Sequence, residues 1–185
     1  FSVGYSLVIP NGMVIRKNDF ANFSSFLDDN GEFIFVDRVM ANTKLTAGIA
    51  VGRTYKGGID TAVSEHEKSQ HLMLRRNSDV FSGLLHMLDK KRIDYMFGFP
   101  SELEYHTSLG VLAHEMKFIP IVEMPRFSVS HIVCSKNVWG ERVIANIDKV
   151  LLQYRKHPKF LRFYQFWLDF SSKKRHVELS NTVFY

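Results

Sequence analysis

The feature that most constrains this chain is an alternation of short apolar runs with segments of helical period. "LTAGIAVG" reads as a strand whose small residues allow close packing on both faces. A helix is expected from Thr54 to about Glu67, with Ile59, Ala62 and Val63 on its apolar side. "HLMLRR" is the next strand. Asn77-Ser78-Asp79 then supplies N-cap residues for a helix carrying Val80, Phe81, Leu84, Leu85 and Leu88 on one face. "RIDYMFGF" returns to a strand, ended by Pro100-Ser101-Glu102. Strands alternating with helices of about ten to fifteen residues predict an α/β fold with largely parallel strands. In such sheets ligands sit at the carboxyl ends of strands, next to helix N-termini.

The flanking regions fill in the pattern. "YSLVIPNGMVIRK" reads as two apolar runs around Pro10-Asn11-Gly12, a strong turn signal. "FANFSSFLDDNG" places Phe20, Phe23 and Phe26-Leu27 at helical spacing, with Asn30-Gly31 as the expected C-cap. "FIPIVEM" and "FSVSHIVCS" are two further strands. After Trp139-Gly140 comes the clearest helix, with Val143, Ile144, Ile147, Val150, Leu151 and Tyr154 on one side; Pro158 breaks it before the aromatic helix "KFLRFYQFWLDF".

Composition narrows the function classes. With 45% hydrophobic and 23% charged residues the chain is globular rather than disordered. Sixteen phenylalanines, seven tyrosines and two tryptophans are enough to fill a core and also to line a cleft for a flat ligand. The net charge of +5 is interspersed with acids, and "SSKKRH" is the one tight basic run, so a nucleic-acid partner is not expected. The single cysteine, Cys134, allows no intrachain disulfide and no Cys-based zinc site within one chain. No apolar run approaches the roughly 18 residues of a membrane span. The chain opens on Phe1-Ser2 without a methionine, so the gene product is expected to begin upstream.

The segment "VGRTYKGGID", Val51 to Asp60, carries the most chemistry. Gly52 permits a tight turn and Thr54 is a good N-cap. A helix starting there would aim free N–H groups outward, with the Thr54 hydroxyl and the Arg53 guanidinium alongside, a set that suits a carboxylate or a phosphate. The spacing is neither a Walker A loop nor G-x-G-x-x-G, and on spacing alone an ordinary strand-to-helix turn is favoured. His66, His71, Glu65 and Glu67 cluster in sequence but match no metal-ligand motif, and no metal or cofactor is expected. No G-x-S-x-G elbow is present, and nothing in the sequence demands an enzyme; Asp94 and Glu102 with a histidine are the acid–base groups an alternative α/β enzyme would use.

The order of segments resembles bacterial periplasmic solute-binding proteins of extracellular family 3, with the type II binding-protein fold. A strand ending in Gly-x-Thr-Tyr, a helix, a short strand and "LLHMLDKKRIDYMFGFP" look like the family's second lobe. "LDKKRID", Leu88 to Asp94, takes the place of a family "leu–x–x–gly–arg–val–asp" pattern, with a lysine for the glycine. "FSVGYSLVIPNGMVIRK" looks like the first interlobe crossing, "IPIVEMPRFSVSHIVCSKN" like the return crossing, and the "WGERVIANIDKV" region like the closing helices of lobe one. The resemblance implies a two-lobe fold of mostly parallel sheets flanked by helices, with residues 1–15 and 125–185 as a partial lobe one and 16–124 as lobe two. Very roughly 70 to 100 residues of the family's lobe one would precede "FS". Their absence would leave strand edges unpaired, and a homodimer through those edges is the implied consequence.

By this resemblance the protein closes two lobes on a small acidic or aromatic solute, is periplasmic, and works with a membrane permease or as a sensor; an interaction protein that keeps the fold and has lost ligand binding stands as an alternative beside the enzyme. The resemblance also reverses the preference at "VGRTYKGGID". Thr54 with the following N–H groups is expected to hold the solute's acidic group, Arg53 to assist, and Tyr55, Tyr95 and Phe99 to form aromatic walls. Amino-acid binders of the family place an aspartate five positions after the one matched by Asp94. Here that position is Phe99, with Glu102 nearby as a substitute, so an aromatic or apolar ligand fits better than a standard amino acid.

Overall fold

The computed structural model describes residues 1–76 and 79–184, which form two compact units: 10–125, and 1–9 with 126–185. The first of these is built on a five-stranded sheet of β2 (Gly12–Arg16), β3 (Ala47–Ala50), β4 (Leu72–Arg75), β5 (Tyr95–Gly98) and β6 (Met116–Ile119), in the order β4-β3-β5-β2-β6. β3 is parallel to both β4 and β5, while β2 is antiparallel to both β5 and β6. Four strands therefore run one way and β2 alone is reversed, which fits the expectation of largely parallel strands.

The central strands β2, β3 and β5 are buried on both faces, as their continuous apolar runs require. The edge strand β4 leaves Met73 and Leu74 exposed. Helices α1 (Val36–Met40), α2 (Gly57–Glu65), α3 (Val80–Asp89) and α4 (Pro100–Ser108) complete this unit. In α3 the buried positions Leu84, Leu85 and Leu88 fall on the face read from the sequence. Asn77 and Ser78, two of the expected cap residues, lie outside the described residues; Asp79 holds the N-cap position without a side-chain cap bond.

Several local readings are corrected. "FANFSSF" forms a 3-10 helical segment, Lys17–Phe26, ending at Leu27 rather than at Asn30-Gly31. Those residues instead belong to a tight turn, in which the Asp28 carboxylate accepts the N–H groups of Glu32 and Phe33 and Gly31 adopts φ +71°. The two apolar runs around Pro10-Asn11-Gly12 belong to different sheets. β1 (Ser6–Val8) pairs with β7 (Ser128–Ser130), whereas β2 belongs to the five-stranded sheet, so residues 10–15 sit with the 10–125 unit. Their apolar side chains Met13, Val14 and Ile15 are fully buried there.

At the end of α3, Lys91 occupies the place where the resembling family has glycine, and its φ is +57°. Its N–H donates to the Leu88 carbonyl, and the next N–H, of Arg92, to that of Met87. A left-handed lysine is disfavoured by about 1 kcal/mol. Lys91→Gly is therefore expected to raise the stability of this unit by about 0.5–1 kcal/mol, read from the denaturant midpoint.

The second unit holds the antiparallel β1–β7 ribbon with α5 (Val138–Tyr154), α6 (Pro158–Gln165) and α7 (Phe170–Phe184). The Asn137 side chain caps α5 by accepting the Gly140 N–H. Side chains of the helices bind the backbone around β1. Asp148 accepts from Val3 N–H, the Tyr164 hydroxyl accepts from Ile9 N–H, and Arg155 donates to the Gly4 carbonyl. The apolar face expected of α5 is only partly covered: Leu151 is buried while Val150 and Tyr154 are exposed. The basic run "SSKKRH" lies in α7, a helix the sequence reading did not mark. Among the described residues, no helix is long and apolar enough to cross a membrane.

His176 of α7 is fully buried. Its Nε2 meets the Leu7 carbonyl at 3.1 Å and its Nδ1 meets the Gln165 amide at 3.2 Å, with the Tyr164 ring beside it. The carbonyl makes Nε2 the donor, so Nδ1 accepts from the amide and the ring is neutral. Burial pushes its pKa below the ordinary 6.5, against a smaller opposing effect of the Leu7 carbonyl; burial also pushes the neighbouring Tyr164 up to about 12, so that phenol stays neutral. Below about pH 6.5 the unfolded chain binds a proton that the folded unit refuses, so stability falls as pH falls through that window. Both tryptophans lie in this unit. Tryptophan-monitored denaturation is expected to show a drop between pH 7.5 and 5.5, and a smaller drop in His176→Asn.

Candidate functional site

The carboxyl ends of β3 and β5 and the start of the reversed β2 lie at one end of the sheet. Chain order makes this a switch point, because α2 leads from β3 outward to β4 and α3 leads back past β3 to β5. Arg53 follows β3, Phe99 and Glu102 follow β5, and Asn11 precedes β2. The structure brings all four together.

Arg53 and Glu102 form a two-pronged pair. Nη1 donates to Oε1 at 2.8 Å and Nη2 to Oε2 at 2.6 Å. Oε2 also accepts the Phe99 N–H at 2.9 Å, so Glu102 caps the start of α4 from its third position. Nη2 donates in addition to Asn11 Oδ1 at 3.1 Å, and the Asn11 amide donates to the Tyr55 carbonyl at 3.0 Å. Three rings surround the guanidinium carbon, with centroids 5.3 Å (Tyr55), 5.5 Å (Phe99) and 6.0 Å (Phe81) away. Burial would lower the pKa of Arg53, but the bonded Glu102 carboxylate outweighs it and the net shift is upward. The arginine side chain is 22% exposed and the glutamate 33%, so the pair is open to solvent on one side.

The loop that presents Arg53 differs from the sequence reading. Helix α2 starts at Gly57, not Thr54, and its N-cap is Lys56 with φ +69°. The N–H groups expected to receive an external anion are partly committed: Asp60 accepts from Tyr55 N–H at 2.9 Å and from Lys56 N–H at 2.8 Å. An anion is indeed held at this turn, and it is the chain's own carboxylate. Thr54 is exposed in the loop and does not cap the helix. Gly52 makes the expected tight turn at φ +83°. Gly57 and Gly58 let the helix start approach the chain at Glu123 and Met124, where any Cβ would collide, and the Gly58 N–H donates to the Glu123 carbonyl.

Tyr55 and Tyr95 were expected as aromatic walls, and both prove to be buried. The Tyr55 hydroxyl accepts the Ala50 N–H at 3.0 Å, folding the loop back onto the end of β3. Burial raises its pKa, with the Ala50 amide and Arg53 opposing. Tyr55 thus reaches the site through its ring contact with Arg53 and through its carbonyl, which accepts from Asn11. Tyr95 sits in the core, edge-on to Phe23 and Phe97. A central strand buried on both faces has no outward-facing residue to offer. Phe99 is the one of the three aromatic residues that is partly exposed beside Arg53.

Asp94 lies at the opposite end of β5 from Glu102 and takes a structural role, accepting the Thr46 N–H and contacting Arg16. The two carboxylates of the alternative enzyme reading are therefore not brought together. Asn11 and Phe81 were not singled out for the site. Asn11 was read as a turn residue, yet it is 95% buried and positions Arg53; the turn signal around it hid this. Phe81 was read as one of the apolar positions of α3.

No family model and no curated protein matches the sequence. Solved structures do match. The periplasmic binding protein XoxJ from Methylobacterium extorquens AM1 is 17% identical with a TM-score of 0.54, over 88% of this chain and 69% of its own. An ancestral cationic amino acid solute-binding protein is 15% identical with a TM-score of 0.56, over 91% and 62% respectively. A Streptococcus pneumoniae amino acid ABC transporter substrate-binding protein bound to L-arginine is 12% identical with a TM-score of 0.52, over 90% and 59%. The chain thus spans about six to seven tenths of their lengths. At these identities the likeness concerns the fold: the chain has the α/β architecture of periplasmic solute-binding proteins.

Proposed function

We propose that this chain belongs to a periplasmic solute-binding protein, a receptor for a membrane permease or a sensor, which takes a small solute at the carboxyl ends of β3 and β5. The solute carries an acidic group for Arg53, with exposed Thr54 beside it, and a flat apolar body for Phe99 and Phe81. The observation that carries this reading is the Arg53 cluster. A guanidinium has five N–H donors, and three are used by Glu102 and Asn11. The remaining two sit in a ring-walled, partly exposed place at the switch point of the sheet, where small-molecule sites form on such folds. The likeness in fold to solute-binding proteins supports the same reading.

The test is a thermal-shift panel of amino acids, organic acids and aromatic acids. At least one acid is expected to raise the melting temperature of the native chain. In Arg53→Gln the affinity for that acid is expected to fall by about 10–100-fold, the worth of one charge-assisted hydrogen bond. A panel in which nothing stabilises the native chain would reject the reading.

A further inference from the structure

Glu102 and Arg53 stand in different positions with respect to losing one another. Glu102 keeps a second attachment, since its Oε2 accepts the Phe99 N–H at the start of α4, a nine-residue helix. The partial positive charge of that helix end stabilises the carboxylate whether or not Arg53 is bound to it. Among the described residues Arg53 has no comparable reserve: its other partners there are the neutral oxygen of Asn11 and three aromatic rings. Separating the pair therefore leaves one group in need of a partner, and that group is a cation.

We infer that Glu102 holds the place on Arg53 that a solute's carboxylate takes over, and that the solute is an aromatic carboxylate without an ammonium group. The inference rests on the solute-binding reading above. A single anion restores the charge balance around Arg53, while Glu102 falls back on its helix cap. An ammonium would need a carboxylate with free capacity. Asp60 is committed to the N–H groups of Tyr55 and Lys56, and the displaced Glu102 is balanced by the Phe99 N–H and the positive end of α4, which disfavours a further cation there. Asp79, at the start of α3, is the exposed acid nearest Phe81 in sequence, so it enters the test directly.

The probes are 3-phenylpropanoate and L-phenylalanine, which differ only by the α-ammonium, titrated calorimetrically into the native chain, Glu102→Gln, Arg53→Gln and Asp79→Asn. Glutamine can still cap α4, so the Glu102→Gln chain is expected to fold, which far-UV circular dichroism checks. The native chain is expected to prefer 3-phenylpropanoate by about tenfold or more, in line with the cost of a poorly matched charge. Glu102→Gln removes the internal competitor and is expected to tighten 3-phenylpropanoate by about tenfold, while Arg53→Gln weakens it by about 10–100-fold and Asp79→Asn changes nothing. The inference is overturned if Glu102→Gln weakens 3-phenylpropanoate as Arg53→Gln does, or if L-phenylalanine binds more tightly. Either result leaves the solute-binding reading standing. Absence of binding by both probes overturns the inference too, and the broader acid panel then decides the reading separately.

Discussion

Replacing Arg16 by leucine is expected to destabilise the 10–125 unit by about 3–5 kcal/mol. Arg16 ends β2 and is 4% exposed. Its guanidinium donates to the Leu88 and Ile93 carbonyls, pairs with Asp19 and reaches Asp94 Oδ1 at 3.5 Å. One side chain thus ties the reversed strand to the end of α3 and the start of β5. Leucine fills the space but leaves two carbonyls and a carboxylate without their donor, and unmet buried acceptors are what make such substitutions severe. The loss is a large share of the 5–15 kcal/mol that holds a typical domain together. Both tryptophans lie outside this unit, so the measurement is urea denaturation followed by far-UV circular dichroism. Arg16→Lys, which keeps the charge but not the fork, is expected to fall between native and leucine. A leucine variant within 1 kcal/mol of native would contradict this account of the sheet.

Tyr95→Ala is expected to lose a similar amount, about 3–5 kcal/mol, through the cavity it opens between Phe23 and Phe97. The ring is 1% exposed, and burial, with a smaller contribution from Asp94, pushes the phenol pKa upward. Tyr95→Phe keeps the packing and is expected to lose about 1 kcal/mol or less, leaving any solute affinity unchanged. A wall residue would behave the opposite way, with little change in stability and a clear loss of binding. The pair of variants therefore separates the core role from the wall role that the sequence suggested.

The two expectations differ because of what periodicity can and cannot carry. Strands β2 to β5 were legible because each is a short apolar run between turn signals, and α3 because Leu84, Leu85 and Leu88 recur on one face; β6, Met116–Ile119, overlaps the expected strand "FIPIVEM" only at Phe118 and Ile119, because Lys117 breaks the apolar run. Tyr95 was misplaced because β5 is buried on both faces, where alternation no longer marks inside from outside. The sequence of helix α4 carries the signal of a strand stop. It has proline at its first position and Glu102 at its third, but buries only Pro100 and Leu103, too few for a periodic signal. The start of α2 was set three residues early, because Thr54 is a good cap on its own while Asp60, further along, is the residue that binds the turn. Arg16 gave no sign of its role, since its partners lie 72 to 78 residues away apart from Asp19. Arg53 and Glu102 were each picked out; that they bind one another across 49 residues is a fact of topology alone.

The central claim is that Arg53 receives a solute's acidic group. Its most direct test is isothermal titration of the strongest acid from the stabilisation panel into the native chain and into Arg53→Gln, with folding of both verified by circular dichroism. The account expects saturable binding to the native chain and a loss of about 10–100-fold in the variant, with stability little changed because the pair is partly exposed. Equal affinity in the two proteins would contradict it.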